Sequence, residues 1–412
     1  MGFESVDLLI VGAGPAGLAA GTEVARSGGV VAIADEAPRP GGRLLLQAHP
    51  PNVFSRERTY GPKRALHLID QALSAGVRLW CGASVWGVAQ DADSYFVGVS
   101  PTVPHSGREF PAGFKTRAVI LATGAQQNAI VFPNWTLPGV LTAGGALAMI
   151  HQHRILPGKS AVVIGLDALG ISAALAMAEA GVQVKGVILP PGGPLTIPVF
   201  PGQACLELFR LAAHFSLPGL PWPDCSRPAR TSMAAKLFPR QGISVRGVPL
   251  KPLHAAVSVR GSRRVEAVET VQLEPDGRLI QSSLSFWPVD TVVTSAGLSP
   301  LTDLAQASGL PLVYIPELGG YLPWHNESFG TAKPGIMAAG SLTGVEGALV
   351  AEAQGRLAGL SATNYLGLIS SSELTRKWPL LKAALSGARR RSLSFLPQAA
   401  LGRKILARCE RP

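Results

Sequence analysis

The sequence predicts an α/β fold in which two similar strand–turn–helix units follow one another, and three observations carry that prediction. A short apolar run, residues 6–10, leads into a glycine-rich turn at 11–17 and then into a segment rich in helix formers. The same order recurs at residues 159–181. Two further apolar runs, 119–124 and 335–341, each end in small residues, as buried parallel strands do. The second unit is therefore predicted to interrupt the first.

The first turn has glycines where a bound dinucleotide needs them. Gly12 permits the sharp bend, Gly14 lets a pyrophosphate approach the backbone, and Gly17 lets the helix pack closely on the strand. The helix N-terminus then directs unpaired amide groups toward the phosphates. A second apolar strand ends at Asp35, where a carboxylate can accept hydrogen bonds from ribose hydroxyl groups. These features together predict a dinucleotide site.

The turn is followed by a Gly41-Gly42-Arg43 segment, where adjacent glycines again permit close backbone approach. In their order, the turn, this segment, residues 119–124 and residues 335–348 resemble the pyridine nucleotide-disulfide oxidoreductase-like superfamily of flavoproteins. The resemblance covers residues 5 to about 365. It implies that the first unit binds FAD.

The second unit departs from that pattern at its middle glycine position. Gly165 and Gly170 keep the first and third glycines, but Asp167 replaces the second. A side chain at this place blocks the approach of a pyrophosphate, and its negative charge repels one. The following strand, residues 184–191, also lacks a carboxylate for a ribose. NAD(P) binding at this site is left open as a disfavoured alternative.

The four cysteines indicate that dithiol chemistry is absent. Cys81, Cys205, Cys225 and Cys409 are widely spaced and form no Cys-x-x-Cys pair. Redox-active disulfides and metal sites need closer pairs, so buried or idle thiols and no metal site are expected.

Residues 35–43, 122–125 and the crossover 132–145, which contains two prolines and a tryptophan, resemble a narrower family. It comprises FAD-binding alpha or A subunits of hetero-oligomeric amino-acid oxidoreductases: sarcosine oxidase alpha, opine oxidase A, and hydrogen cyanide synthase and proline or hydroxyproline dehydrogenase subunits. The resemblance implies a partner, a second flavoprotein subunit of the D-amino-acid-oxidase type, and a small amine or amino-acid substrate in the complex. Some members continue from a Cys-x-Cys-Glu element into an iron–sulfur domain. Here only Cys409-Glu410 corresponds to it, so no complete iron–sulfur domain is expected.

We predict a discontinuous FAD-binding domain over 1–152 and 286–366, an NAD(P)-like domain over 153–285, and a helical, peripheral tail over 367–412. The crossover 132–145 is interpreted as a rigid hinge between the domains. Residues 190–228, rich in proline and glycine, are expected to break the regular fold and to cover a partner interface. Serine at 341 replaces the usual aspartate of the superfamily. The predicted cofactor-binding residues are Gly12, Gly14, Pro15, Ala16, Gly17, Asp35, Glu36, Gly42, Arg43, Val85, Ala122, Thr123, Gly124, Gly340 and Ser341. No catalytic residue is assigned.

Composition agrees with a two-domain enzyme. The 412 residues are 47% hydrophobic and 15% charged, and no apolar run of membrane-spanning length lacks a charge, so a cytoplasmic protein is predicted. The net charge of +11 is dispersed except at 389–391, which argues against nucleic-acid binding and leaves peripheral membrane contact open. The predicted function is an FAD-dependent oxidoreductase, the nucleotide-binding or electron-transfer subunit of an amine or amino-acid dehydrogenase or oxidase. The alternatives are a free-standing NAD(P)H-dependent flavin reductase and a non-catalytic nucleotide-binding scaffold subunit.

Overall fold

The computed structural model describes residues 2–47, 61–102, 110–192, 200–214, 228–392 and 396–410. The chain divides into two compact units. Unit 1 contains Met1–Gln126 and Leu298–Pro412, and unit 2 contains Gln127–Gly297.

The strands of the described residues are β1 (Phe3–Val11), β2 (Val31–Asp35), β3 (Arg78–Cys81), β4 (Ala83–Asp91), β5 (Ser94–Pro101), β6 (Gly113–Leu121), β7 (Ala125–Gln127), β8 (Val140–Thr142), β9 (Ser160–Ile164), β10 (Gln183–Leu189), β11 (Ile243–Val245), β12 (Val248–Arg260), β13 (Ala267–Leu273), β14 (Leu279–Pro288), β15 (Thr291–Thr294), β16 (Leu298–Pro300), β17 (Leu312–Ile315), β18 (Gly320–Pro323) and β19 (Ile336–Ala338).

The α-helices are α1 (Pro15–Arg26), α2 (Gly61–Ser74), α3 (Ala143–His151), α4 (Ala168–Glu179), α5 (Pro201–His214), α6 (Pro228–Leu237), α7 (Asp303–Ala307), α8 (Ala348–Tyr365), α9 (Ser371–Arg391) and α10 (Ala399–Leu406). Short 3₁₀ helices cover Gly42–Leu46, Pro316–Leu318 and Gly340–Thr343.

Unit 1 is built on a sheet of order β3–β2–β1–β6–β5–β4, with β19 beside β6. Strands β1, β2, β3, β6 and β19 run parallel, whereas β4 and β5 pair antiparallel. Val11 is in register with Ala34 and Leu121, and Leu121 is in register with Ala338. The segments that follow β1, β2, β6 and β19 therefore begin at one edge of this sheet.

Helices α1 and α8 pack together on one face of the sheet. Leu8 and Ile10 of β1 belong to the apolar cluster on this face, and the alternate residues Leu9 and Val11 belong to the cluster on the other. Two glycines of α8 let the helices approach closely. A Cβ on Gly355 would lie 2.1 Å from the carbonyl oxygen of Ala16, and one on Gly359 would lie 2.7 Å from that of Ala20.

Unit 2 contains a sheet of order β14–β13–β12–β10–β9–β15–β8, with β11 beside β12. Strands β8, β15, β9, β10 and the start of β12 run parallel, and β13 and β14 extend the sheet as antiparallel strands. The predicted α/β fold class is thus confirmed, with two strand–turn–helix units, β1–α1 and β9–α4.

The predicted domain limits, 152/153 and 285/286, differ from the limits of these units. Strand β8 pairs with β15, so the chain has already entered unit 2 before residue 140. Asn134 donates a side-chain hydrogen bond to the carbonyl oxygen of Val259 at 2.8 Å. The crossover 132–145 is therefore an integral part of unit 2, and its interpretation as a hinge between domains is wrong.

The tail is helical but it is not peripheral. Leu385 and Ala388 of α9 are buried in the cluster that contains α1. The stretch 190–228 also differs in part from expectation, because α5 lies within it. The rest of that prediction falls largely on residues 193–199 and 215–227, outside the described residues. Within the described ranges, no helix is long and apolar enough to cross a bilayer.

Candidate functional site

The turn between β1 and α1 requires glycine at its first and third glycine positions. Gly12 has φ +105°, and a Cβ there would lie 2.4 Å from the carbonyl oxygen of Ala122. A Cβ on Gly17 would lie 1.9 Å from the carbonyl oxygen of Gly12. Both positions are closed by backbone, so any larger residue would push the strand, the helix or β6 apart.

Gly14, in contrast, faces open space. A Cβ built on Gly14 meets no atom within 4 Å, and its φ of −78° and ψ of −175° are allowed for any residue. Gly14 is the N-cap of α1 and has no side chain to accept hydrogen bonds from the first turn, and Pro15 follows it. The amide groups of Ala16 and Gly17 are therefore available to an anion approaching along the helix axis.

The Gly41-Gly42 segment packs directly against this turn. The amide of Gly41 donates to the carbonyl oxygen of Ala13 at 2.8 Å. Gly42 has φ +56°, and a Cβ there would lie 2.9 Å from the Cα of Gly14. The two glycine segments therefore form one continuous backbone surface, as the sequence predicted.

Asp35 ties the end of β2 to the turn. Its two carboxylate oxygens accept from the amides of Ala13 at 2.6 Å and Ala37 at 2.8 Å. Burial raises the pKa of Asp35 in spite of these hydrogen bonds. The neighbouring Glu36 side chain is exposed. The edge thus presents one carboxylate that shapes the turn, with lone pairs left over, and a second that is open to solvent.

The segment after β6 forms the next part of the edge. The amide of Ala122 donates to the carbonyl oxygen of Val11 at 2.8 Å, and Thr123 donates through its hydroxyl to the carbonyl oxygen of Leu301 at 2.8 Å. Gly124 has φ +85° and open space where a Cβ would lie. Arg43 donates through its guanidinium to the carbonyl oxygen of Ala125. The structure therefore brings Arg43 to the segment after β6.

Gly340 and Ser341 lie over the start of α1. Gly340 has φ +72°, and a Cβ there would lie 2.8 Å from the Cβ of Ala16. Ser341 is half-buried, and its carbonyl oxygen accepts from the amide of Gly344 at 3.2 Å. Val85 is the predicted site residue that these contacts do not reach. It is half-buried on β4 and packs against the cluster on the sheet face opposite α1, so its role stays a prediction.

A buried ionic network follows Ser341, and the sequence did not reveal it. Glu346 is buried and accepts from Arg389 at 2.8 Å and from Arg403 at 2.9 Å. Gln354 of α8 donates to the same carboxylate at 3.1 Å. Arg403 also approaches Nε2 of buried His325 at 3.3 Å. The two tail helices are thereby joined to the loop that connects Gly340 with α8.

The protonation states of this network follow from its contacts. His325 places Nδ1 2.9 Å from the carbonyl oxygen of Pro323, so Nδ1 carries the proton and Nε2 accepts from Arg403. Burial and the positive charge of Arg403 lower the pKa of His325 to about 3. Burial alone would raise the pKa of Glu346, but Arg403 and Arg389 hold it below its ordinary value. The network therefore contains an ionised carboxylate, two arginines and a neutral imidazole.

The thiols are not arranged for disulfide exchange. Cys81, Cys205 and Cys409 are free, and Cys225 lies outside the described residues. Burial raises the pKa of Cys205 to about 12, so its thiolate form is scarce at neutral pH. In the part of the chain that the structure describes, no group of three or more His, Cys, Asp or Glu side chains is placed to hold a metal ion.

The edge of unit 1 fits a dinucleotide held by its phosphates. The fit test is the contrast among the three glycines, because Gly12 and Gly17 are closed by backbone whereas Gly14 opens onto an uncapped helix N-terminus. Amides of Ala16 and Gly17 would hold the pyrophosphate, and carboxylates at Asp35 and Glu36 are placed to meet a ribose.

Comparison with known proteins agrees with this geometry. The pyridine nucleotide-disulphide oxidoreductase family model matches residues 6–190. Opine oxidase A of Agrobacterium tumefaciens, itself one component of that oxidase, is 31% identical over 89% of this chain and 67% of its own length. The HcnB component of the hydrogen cyanide synthase of Pseudomonas protegens is 26% identical over 89% of this chain and 72% of its own length.

A solved structure shows the same fold. L-proline dehydrogenase from P. horikoshii superposes with a TM-score of 0.65 at 18% identity, over 94% of this chain and 59% of that one. The chain therefore belongs to the pyridine nucleotide-disulphide oxidoreductase family of FAD-dependent oxidoreductases, and it is related over most of its length to subunits of amino-acid oxidases.

Proposed function

We propose that unit 1 holds FAD at the edge formed by the turn 12–17, with the pyrophosphate on the N-terminus of α1. The observation that carries this proposal is the open space at Gly14 between two glycines that are closed by backbone. The contact of Gly42 with Gly14 supports it, because it extends the backbone surface along the path of a long cofactor. Bound FAD would supply an acceptor for one or two electrons.

The chain's own residues then have separate tasks. Ala16 and Gly17 present amides to the pyrophosphate, and Asp35 keeps Ala13 in place through the 2.6 Å hydrogen bond. Gly340 and Ser341 lie against Ala16 and limit the space beside the helix N-terminus. Arg389 and Arg403 act at a distance, since they hold the loop that leads from Ser341 into α8 through Glu346.

We further infer that the protein works as the nucleotide-binding or electron-transfer subunit of a hetero-oligomeric amine or amino-acid oxidoreductase. The relatives named above are themselves designated subunits of an oxidase and of a synthase. The proposed partner is a second flavoprotein subunit of the D-amino-acid-oxidase type, which would carry out the oxidation of the small substrate. A cytoplasmic location remains a prediction from the sequence, as does the absence of nucleic acid.

The two alternatives predict different properties of the purified chain. A free-standing flavin reductase needs NAD(P)H at unit 2, and Asp167 occupies the middle glycine position there. A non-catalytic scaffold would carry flavin that never turns over, or none at all. The replacement of the usual aspartate by Ser341 is the feature that favours the scaffold.

The experiment is a visible absorption spectrum of the purified chain, alone and in complex with its partner. We expect flavin absorbance from the chain alone, little change on addition of NADH, and loss of absorbance on addition of an amine or amino acid only in the complex. Gly14→Ala is the matched control, because its fold is expected to survive without flavin. Full reduction by NADH would favour the free-standing reductase, and flavin that no substrate reduces in the complex would favour the scaffold.

A further inference from the structure

The turn between β9 and α4 in unit 2 keeps the shape of a dinucleotide-binding turn. Gly165 has φ +127°, and a Cβ there would lie 1.8 Å from the carbonyl oxygen of Ser295. A Cβ on Gly170 would lie 2.3 Å from the carbonyl oxygen of Gly165. These are the same two closed positions that Gly12 and Gly17 provide in unit 1. The difference between the two turns is therefore concentrated at the middle position.

Asp167 at that position directs its carboxylate back into the turn. One oxygen accepts from the amide of Gly170 at 2.8 Å, and the other accepts from the amide of Gly297 at 2.9 Å. The hydroxyl of Ser295 lies 2.7 and 2.9 Å from the two oxygens. Two backbone amides and a hydroxyl, with a helix N-terminus behind them, are a donor set that proteins use for phosphate groups.

The charge and position of this carboxylate exclude a phosphate. A phosphate at the start of α4 would compete with Asp167 for the amide of Gly170, and it would do so beside a negative charge. Ser295 is buried, so its hydroxyl is committed to the same carboxylate. The donors of this turn are thus already satisfied by the chain itself.

The second requirement of a dinucleotide is also missing. Strand β10 ends in the buried residues Ile188 and Leu189, and Pro190 follows. The sequence from Gln183 to Gly192 contains neither aspartate nor glutamate, so the end of β10 has no carboxylate to accept hydrogen bonds from ribose hydroxyl groups. The residues of unit 2 therefore do not fit NAD(P), although the fold is one that binds it elsewhere.

We propose that the Asp167 carboxylate is a built-in substitute for the phosphate of a nicotinamide dinucleotide, and that it converts unit 2 from a cofactor site into a structural module. The consequence is that this protein does not receive its electrons from NAD(P)H. The proposal concerns unit 2 alone and holds whether or not unit 1 contains FAD. It also predicts that the anion site reopens when the carboxylate is removed.

The test is chemical rescue by inorganic pyrophosphate in an Asp167→Gly variant of the full chain. Without an anion, the variant should unfold at a lower temperature than the wild type because Gly170 and Gly297 lose their acceptor. Pyrophosphate at ten times its Kd should then favour the folded variant about elevenfold and leave the wild type unchanged. NADH, followed by equilibrium dialysis, should bind the variant at least about tenfold more tightly than the wild type, whose carboxylate repels the phosphates.

Asp167→Ser provides a second variant if the glycine variant fails to fold, since serine retains an N-cap oxygen while it removes the charge. It should show the same response to pyrophosphate, with a smaller loss of stability. The proposal would be overturned if wild-type protein bound NADH as tightly as the variants, or if neither folded variant responded to pyrophosphate. Because the measurement needs no flavin, its failure is distinguishable from failure of the FAD assignment.

Discussion

Alanine at two glycines of the first turn should have opposite effects on folding and on cofactor binding. At Gly17 the new Cβ would lie 1.9 Å from a backbone oxygen, and at Gly14 it would meet no atom within 4 Å. Gly17→Ala should therefore destabilise the fold. Gly14→Ala should leave the fold intact and weaken FAD binding, because its methyl group occupies the space proposed for the pyrophosphate.

The magnitudes follow from these distances. An ordinary contact at Gly17 would require the helix to move until 1.9 Å became roughly 3.4 Å, and overpacking of this kind costs about 3 kcal/mol or more. At Gly14 the backbone conformation suits alanine, so the cost is that of a poorer N-cap, about 1 kcal/mol. Loss of one charge-assisted hydrogen bond to the pyrophosphate, worth about 1.5–3 kcal/mol, weakens FAD binding roughly 10- to 100-fold.

The assay measures thermal unfolding and FAD affinity on the same apoprotein preparations. We expect Gly14→Ala to melt within a few degrees of the wild-type apoprotein and to require much more FAD for half-saturation of its flavin fluorescence quenching. We expect Gly17→Ala to melt far lower. A folded Gly14→Ala variant with wild-type affinity for FAD would refute the placement of the pyrophosphate.

Other predictions concern the buried network and the helix contact of unit 1. Glu346→Gln leaves the Arg403 side chain, which is 14% exposed, without its counter-charge and should cost about 3–5 kcal/mol in urea unfolding, whereas Glu327→Gln, which removes an exposed ion pair, should cost less than about 1 kcal/mol; equal losses would contradict the network. His325 has a pKa of about 3 in the fold and about 6.5 when unfolded, so the unfolded chain takes up a proton between these values and stability falls as pH is lowered through that window; urea midpoints should show a flatter pH dependence in His325→Gln, and an unchanged dependence would contradict the assignment. Gly355→Ala places a Cβ 2.1 Å from a backbone oxygen of α1 and should destabilise by about 3 kcal/mol or more, while Gly387→Ala in α9, where a Cβ has an ordinary 3.9 Å contact, should stabilise by about 0.4–1 kcal/mol; calorimetry on both variants should give shifts of opposite sign.

The parts of the site that were predictable from sequence depend on local spacing. The interval between Gly12 and Gly17, a preceding apolar strand and a following helix former define one turn, and each glycine role can be assigned from backbone geometry alone. Asp35 was predictable as a carboxylate at the end of the second strand, but its hydrogen bond to the amide of Ala13 was not. That contact depends on how far the turn curls back over β2.

The contacts that were missed join residues far apart in the chain. Arg389 belongs to a basic run that composition alone assigns to a solvated surface, yet it reaches the buried Glu346. Pairing of this kind depends on where α9 packs, and no periodicity in the sequence contains that information. Gly355 and Gly359 did carry a usable signal, since two glycines four residues apart on a helix mark a face that another backbone approaches.

By itself, the sequence determined the two strand–turn–helix units, the family and the presence of a carboxylate at position 167, because these depend on residues adjacent along the chain. Only the tertiary structure decided what that carboxylate does. Ser295 and Gly297 lie 128 and 130 residues beyond Asp167, and they meet it because β15 pairs with β9. The same pairing closes Gly165 against Ser295. A substitution that reads as damage along the chain is, in three dimensions, a fully hydrogen-bonded anion.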